Sequence, residues 1–423
     1  MTWPSTELGS LCSVITKGTT PRTLGQEYVS DGIPFLRAEN LQGDEVCLGP
    51  ETLYIDAETH RMLSRSMIYP GDVLISIAGT IGRCAIVPKD MPVMNCNQAV
   101  AIVRIAGPLE RRFLLHWLKT ADAQRQMSGG KVTLTIANLS LGQIKKLRIP
   151  LPPLSEQRRI VEILDQADAL RKKRAEADAK AARILPALFY KMFGDPATNP
   201  KRWPVKTLGE VTAGKPQYGA NASAVEWSKN NPRYVRITDI TNDGRLLKDG
   251  VMTLDLEDWE PYRLVPGDLL FARSGNTVGK TYLYRSKDGL CAYAGYLIRF
   301  KPDLEQVLPW YLFSLTQTDY YRGWVEARKR VAGQPNINGK EYVSLRVPCP
   351  PIPLQEEFAK LAEQMVDLRH NCDTTRQQLE QLFDTLLHRA FTGDLTAKWR
   401  EAHMKELLQE MEQQAKELKI DDC

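Results

Sequence analysis

The feature that most restricts the fold is that the chain is written twice. Trp3-Pro4 and Leu8-Gly9 recur as Trp203-Pro204 and Leu208-Gly209, 200 positions later. The order then continues without rearrangement. The stretch 33–41 (IPFLRAENL) is echoed by 234–241 (YVRITDIT), setting Arg37 against Arg236, and Tyr69-Pro70-Gly71-Asp72 returns as Val265-Pro266-Gly267-Asp268. Ala78-Gly79-Thr80-Ile81-Gly82 faces Gly275-Asn276-Thr277-Val278-Gly279, and Arg148-Ile149-Pro150-Leu151-Pro152-Pro153 faces Arg346-Val347-Pro348-Cys349-Pro350-Pro351. Phe193-Gly194-Asp195 closes the first copy, and Phe391-Thr392-Gly393-Asp394 the second. A period of this length lies far outside the solenoid range, so a domain has been duplicated rather than a small repeat stacked. At 423 residues the chain has room for both copies.

Each copy has one plan: short mixed elements, a proline-rich hinge, then a long helix. Pro-Gly at 70–71 and 266–267 suits the middle of a tight turn. The runs VLISI and LLFA that follow read as strands, whereas 109–126 and 308–325 carry apolar residues at helical spacing, as at Phe113, Trp117 and Leu118. The expectation is an α+β domain in each copy.

After the first hinge, Ser155-Glu156-Gln157 supplies an N-cap and an early acid. Counting by sevens gives one column at Ile160, Ala167, Arg174, Ala181 and Leu188, and another at Ile163, Leu170, Ala177, Ile184 and Lys191. In the second copy the columns are Phe358, Met365, Cys372, Leu379 and Leu386, then Leu361, Leu368, Thr375, Leu382 and Arg389. This is the periodicity of a coiled-coil seam. Two antiparallel helices would form a rod of roughly 55 Å between two domains; the alternative is that each helix packs only on its own domain.

Composition narrows the function. No apolar run reaches the roughly 18 residues that cross a bilayer, and the N-terminus lacks the pattern of a secretory leader, so a cytoplasmic protein is expected. The eight cysteines form no CxxC pair and do not group with the five histidines, which points to reduced thiols and no bound metal. A formal charge of +5 leans toward an anionic partner without identifying it.

Local strings that imitate enzymes fail on spacing or context. Gly275 to Thr281 (GNTVGKT) has three residues between its glycines where a phosphate-binding loop needs four. Asn231-Pro232-Arg233-Tyr234 is close to the base-holding signature of amino-methyltransferases, yet no glycine-rich cofactor turn precedes it; a turn before a strand is the simpler reading. No catalytic residue is assigned.

Were the anionic partner DNA, sequence-specific contacts would require forked or amide donors for base edges and cations for phosphate. The candidates in the first copy are Lys17, Thr19, Thr20, Arg22, Arg83, Lys131 and Thr133. In the second they are Lys215, Tyr218, Arg273, Lys280, Arg328, Lys329, Arg330, Gln334 and Asn336. The basic run Arg171-Lys172-Lys173-Arg174 on the first long helix reads either as a solvated face or as a phosphate contact.

The layout resembles the specificity subunits of Type I restriction-modification systems. The most specific parts are IPLPPLSEQRRIVEIL at 149–164, its fainter copy VPCPPIPLQEEFAKLA at 347–362, and the two Gly-Asp ends. The resemblance covers residues 1 to about 396 and implies target-recognition domains at 1–150 and 196–348, spacer helices at 151–195 and 349–396, and an additional charged helical tail at 397–423. It implies a pseudo-two-fold, non-catalytic subunit that binds double-stranded DNA, each domain reading half of a bipartite site while the helices set the gap. Two methyltransferase subunits holding S-adenosylmethionine would be partners, with a translocating restriction subunit joining the complex. Pro353-Leu354-Gln355-Glu356-Glu357 departs from Leu154-Ser155-Glu156-Gln157-Arg158 in charge, so the two methyltransferase contacts need not be equivalent. A self-contained methyltransferase or nuclease, and a coiled-coil scaffold without nucleic acid, are the competing classes. The tail reads as a solvated amphipathic helix or as a partner contact.

Overall fold

The proline-glycine turns launch the central sheets, and they do so identically in both copies. In a computed structural model describing residues 3–128, 138–228, 231–329 and 335–418, Gly71 and Gly267 adopt φ of +86° and +95°, which the third place of a type II turn demands. The aspartate that follows accepts the backbone N–H three residues back, Asp72 from Tyr69 at 2.8 Å and Asp268 from Val265 at 3.0 Å. In each copy an arginine of the neighbouring strand completes the buried aspartate: Arg104 grips Asp72 through two nitrogens at 2.8 and 2.7 Å, and Arg299 lies 3.4 Å from Asp268. Burial nevertheless pushes the Asp268 carboxyl above its ordinary range.

The chain divides into two units, residues 1–173 with 376–423 and residues 174–375. In unit one the central antiparallel sheet runs Cys12–Lys17, Val100–Ile105, Val73–Ser76, Cys84–Ile86. In unit two the same order is built from Gln217–Tyr218, Leu297–Phe300, Leu269–Ala272 and Thr281–Leu283. A parallel pair accompanies each sheet, Ile33–Leu36 with Met94–Cys96 and Arg233–Val235 with Cys291–Tyr293. An antiparallel strap joins each domain's beginning to its hinge, Ser5–Glu7 with Arg148–Pro150 and Val205–Thr207 with Arg346–Pro348. The helical stretches expected at 109–126 and 308–325 each split in two. Thr120 and Thr318 adopt extended backbone there and cap a new helix, accepting the N–H of Ala123 at 3.2 Å and of Tyr321 at 3.4 Å.

The first long helix spans Leu154–Ala182 and resumes as Ile184–Phe193; the second spans Ile352–Thr392, 41 residues. The helix starts at Leu154, so Ser155 lies inside the first turn instead of capping it. Each unit contains the start of one long helix and the end of the other. Within unit one, Ile160, Val161 and Leu164 share a core with Phe383, Leu387 and Ala390 and with the domain's Phe113 and Trp117. Glu156 meets Thr396 and Arg400 while Arg171 meets Glu380, so these segments run in opposite directions. Within unit two, Phe189 and Phe193 meet Phe358 edge to face with ring centres 5.7 and 5.2 Å apart, and Arg174 reaches Cys372, the same antiparallel sense. Each segment thus packs both on a globular domain and on the other helix.

One of the two expected seam columns faces inward and the other does not. Ile160 and Phe358 are buried, and Leu188, Met365, Leu379 and Leu386 are half-buried. In the other column Ile163 is half-buried, but Leu170, Ile184, Leu361, Leu368 and Leu382 are exposed, Leu368 by 64%. The inward partner column lies four residues after the first rather than three, at Leu164, Arg171, Asp178 and Leu185 and at Ala362, Arg369, Phe383 and Ala390, with the column's Arg376 exposed. Both spacings fit a 3.6-residue turn; the domains' cores select the i+4 side, leaving an apolar row outside.

The hinges hold a matched device that heptad counting does not reveal. Buried Gln157 donates to the carbonyls of Pro108 (3.0 Å) and Pro152 (2.8 Å) and accepts from the Glu110 N–H at 2.8 Å. Gln355, 198 positions on, donates to Gln306 (3.1 Å) and Pro350 (2.8 Å) and accepts from Leu308 at 2.8 Å. Placing Gln157 opposite Gln355 sets Glu156 opposite Leu354, one position from the register in which Pro353 faces Leu154. Over its described residues the tail packs one face on unit one: Arg400 and the preceding Thr396 hold the buried Glu156 carboxylate at 2.9 and 2.6 Å, Leu407 is buried while Leu408 is 52% exposed, and Glu410 accepts from the Ser155 backbone at 3.2 Å and its hydroxyl at 2.6 Å.

Candidate nucleic-acid interface

Three loops converge beside the end of each central sheet, and backbone hydrogen bonds fix the correspondence between units. Gly18 donates to the Val100 carbonyl and Gly219 to that of Leu297, both at 3.2 Å. Ile77 donates to Ala99 (2.8 Å) and accepts from Leu139 (2.9 Å); Arg273 donates to Tyr296 (3.0 Å) and accepts from Ile337 (2.8 Å). Close approach explains the glycines: a Cβ on Gly18 would sit 1.9 Å from the Cys96 oxygen, and one on Gly219 would sit 2.3 Å from that of Ala294.

On this common frame the side chains differ. Lys17 stands opposite Tyr218, Thr19 opposite Ala220, Ile77 opposite Arg273 and Ala99 opposite Tyr296. In unit one, Lys17 is exposed at its strand end, Thr20 donates to Gln98, and the exposed Arg22 lies 3.4 Å from Glu27. Arg83 is exposed on the turn between Gly82 and the strand Cys84–Ile86. In unit two, Tyr218, Arg273 and Asn336 come together. The Arg273 guanidinium lies 5.1 Å over the Tyr218 ring, the Tyr218 hydroxyl accepts the Gly339 N–H at 3.0 Å, and Asn336 bridges to Ser274. Lys215 is exposed nearby in sequence.

Other candidates are occupied. Lys280 donates to the Ile240 carbonyl at 2.8 Å, and Lys329 pairs with Glu326. Arg328 packs 3.8 Å over the Trp324 ring. Lys131, Thr133, Arg330 and Gln334 lie outside the described residues. The basic run on the first helix is also largely spent: Arg171 pairs with Asp168 and Glu380, Lys172 with Asp168 and Asp44, and Arg174 with Asp178. Asp44 is itself pulled two ways. Burial disfavours its charge, but Lys119 and Lys172 outweigh burial and bring its pKa down to about 2.

The strings that imitate enzymes are structural. Gly275 donates to Pro335 at 2.9 Å, Gly279 leaves room only for the Val325 side chain, and Thr281 exchanges a buried 2.7 Å hydrogen bond with Thr316. Tyr234 begins no base pocket: its hydroxyl donates to the Ala220 carbonyl at 2.8 Å. Tyr296, 60% exposed beside Arg273, is the residue that sequence reasoning missed. Its only sequence signal is its place against Ala99, which emerges once the hydrogen bonds align the copies.

Among the described residues no helix is long and apolar enough to cross a membrane. Residues 1–178 match the Type I restriction modification DNA specificity domain. Across 94% of this chain and 90% of theirs, the sequence is 21% identical to the Type I restriction enzyme StySPI specificity subunit of Salmonella potsdam and 23% identical to the EcoKI specificity subunit of Escherichia coli (strain K12). A chain solved in a study of complex assembly and conformational transition in a type I R-M system shares the fold, with TM-score 0.56 at 20% identity over 93% of this chain and 98% of that one.

Proposed function

This chain belongs with the specificity subunits of Type I restriction-modification systems, and from that premise we propose that it supplies the DNA address and none of the chemistry. Each unit reads one half of a bipartite, asymmetric site in double-stranded DNA. The observation that carries this reading is the pair of loop frames, alike in backbone hydrogen bonds and unlike in exposed side chains. Such frames place different donors before the two half-sites, and base-edge donors are what specify sequence.

The long helices set the gap between half-sites and dock two methyltransferase subunits. The exposed apolar rows support docking: Leu170 and Leu382 in unit one, and Ile184, Leu361 and Leu368 in unit two. S-adenosylmethionine binds in those partners, which flip and methylate an adenine; a translocating restriction subunit adds cleavage. The complex acts in the cytoplasm, where its DNA lies.

The test is to reconstitute the chain with its methyltransferase and map methylated sites by sequencing. Replacing residues 1–150 with those of a relative is expected to change one half of the recognised sequence and leave the other intact. Changes in both halves, or methylation without sequence preference, would overturn the reading.

A further inference from the structure

Arg273 differs from the carboxylate-paired arginines of unit two. Arg236 is held by Asp239, Arg245 by Asp243, Arg285 by Asp288 and Arg322 by Asp319. Arg273 has no carboxylate and no hydrogen-bonded acceptor among the described residues, and its Nε is buried without a partner. Its backbone is clamped on both sides, by the Tyr296 carbonyl at 3.0 Å and the Ile337 N–H at 2.8 Å, immediately after the central strand Leu269–Ala272. Its planar group rests on the Tyr218 ring, which is fixed in turn by the Gly339 N–H. A Cβ at Gly339 would come within 3.2 Å of that hydroxyl, so the glycine keeps the ring in place.

A cation left without an internal counter-charge, on a rigid strand end and an aromatic platform, is built to meet an outside acceptor in one orientation. Loose phosphate attraction needs no such fixing. In the major groove the base edge offering two acceptors to a forked donor is guanine, through N7 and O6. The exposed Tyr296 and Asn336 flank the position. At the equivalent place in unit one stands the buried Ile77.

We propose that Arg273, seated on Tyr218, reads a guanine in the half-site assigned to unit two. This rests on the reading of the two units as separate half-site readers. The experiment maps methylated sites for the reconstituted complex carrying the wild-type chain, Arg273→Lys or Arg273→Ala. Wild type is expected to require a G·C pair at one position of the second half. Both variants should relax that position alone, by roughly 5- to 150-fold in preference, the range for one bidentate base contact, with the first half unchanged. An intact first half certifies assembly, and Arg273→Lys keeps the charge should the alanine variant not fold. Full retention of the guanine by Arg273→Lys, an even loss over all sites, or a second half lacking any required G·C pair would each overturn the proposal while leaving two-headed reading in place. A wild-type complex that methylates no bipartite sequence would instead remove the premise.

Discussion

Units one and two share the central sheet, and two of their differences stand out: the loops beside that sheet and the start of the long helix. At the loops, Lys17, Ile77 and Ala99 face Tyr218, Arg273 and Tyr296 across equivalent hydrogen bonds. At the helix start, Gln157 and Gln355 make the same three bonds, but the preceding residue is a buried glutamate in unit one and the partly buried Leu354 in unit two. Glu156 gathers Trp3 at 3.2 Å, Thr396 and Arg400, so unit one is closed by the chain's last segment. In unit two the corresponding closure is local, with Trp203 donating to the Phe193 carbonyl at 2.9 Å. The difference teaches that the frame and its displayed residues vary separately: the bonds that hold the loops are backbone bonds, indifferent to which side chains the loops carry.

The sharpest break of this comparison lies on the second long helix, where adjacent leucine and phenylalanine face opposite ways. Phe383 is 5% exposed, carries the Arg171 guanidinium 4.2 Å over its ring and belongs to the core of unit one, whereas Leu382 is 52% exposed. Phe383→Ala is expected to cost about 3–5 kcal/mol of stability, read as a lower urea midpoint and faster amide exchange over 376–392. Leu382→Ala should stay within about 0.5 kcal/mol and weaken methyltransferase binding instead. Equal destabilisation by both would return the seam to the i+3 column.

Much of this skeleton is legible in the sequence, because duplication displays it. The turns at Gly71 and Gly267, the strands they launch and the long helices sit where the repeated strings place them, whereas the proline-rich hinges turn out to begin as strands, 148–150 and 346–348, paired with each domain's start. The seam is half legible: heptads identify Ile160 and Phe358, but whether the i+3 or i+4 neighbour turns inward depends on the domain packed alongside. Glu156 with Arg400 and Ser155 with Glu410 join residues 244 and 255 positions apart, and no spacing rule reaches that far. At the loops, residue type nominates Lys280 as readily as Arg273. Only geometry shows the first tied to a carbonyl and the second left without an acceptor.

A smaller effect separates the units by acidity. In unit one Asp44 joins Lys119 of the domain to Lys172 of the long helix, with its pKa lowered from 3.8 to about 2. A carboxylate whose folded value is depressed contributes stability that is fully present above the unfolded value and is lost as pH falls through the folded one. The attachment should therefore weaken between about pH 4 and pH 2. Asp44→Asn removes that dependence, so its urea midpoint should fall less than that of the wild type between these limits. Parallel pH curves for the two proteins would show that the contact adds nothing to stability.

The finest distinction concerns Arg83 and Lys280, which occupy one position of the frame: Ser76 donates to the Arg83 carbonyl at 2.8 Å and Ala272 to that of Lys280 at 2.8 Å. Position and charge alone make them interchangeable phosphate contacts. Arg83 is exposed and has no ion pair among the described residues, while the Lys280 ammonium donates to Ile240 and would have to surrender that bond to reach DNA. A lost phosphate contact lowers the slope of log affinity against log salt by about one without altering sequence preference. Arg83→Gln in the reconstituted complex is expected to show that change, and Lys280→Gln to leave the slope where it was. If Lys280→Gln lowers the slope as well, the carbonyl tether gives way on binding and the two units grip the DNA backbone alike, confining their difference to the residues facing the bases.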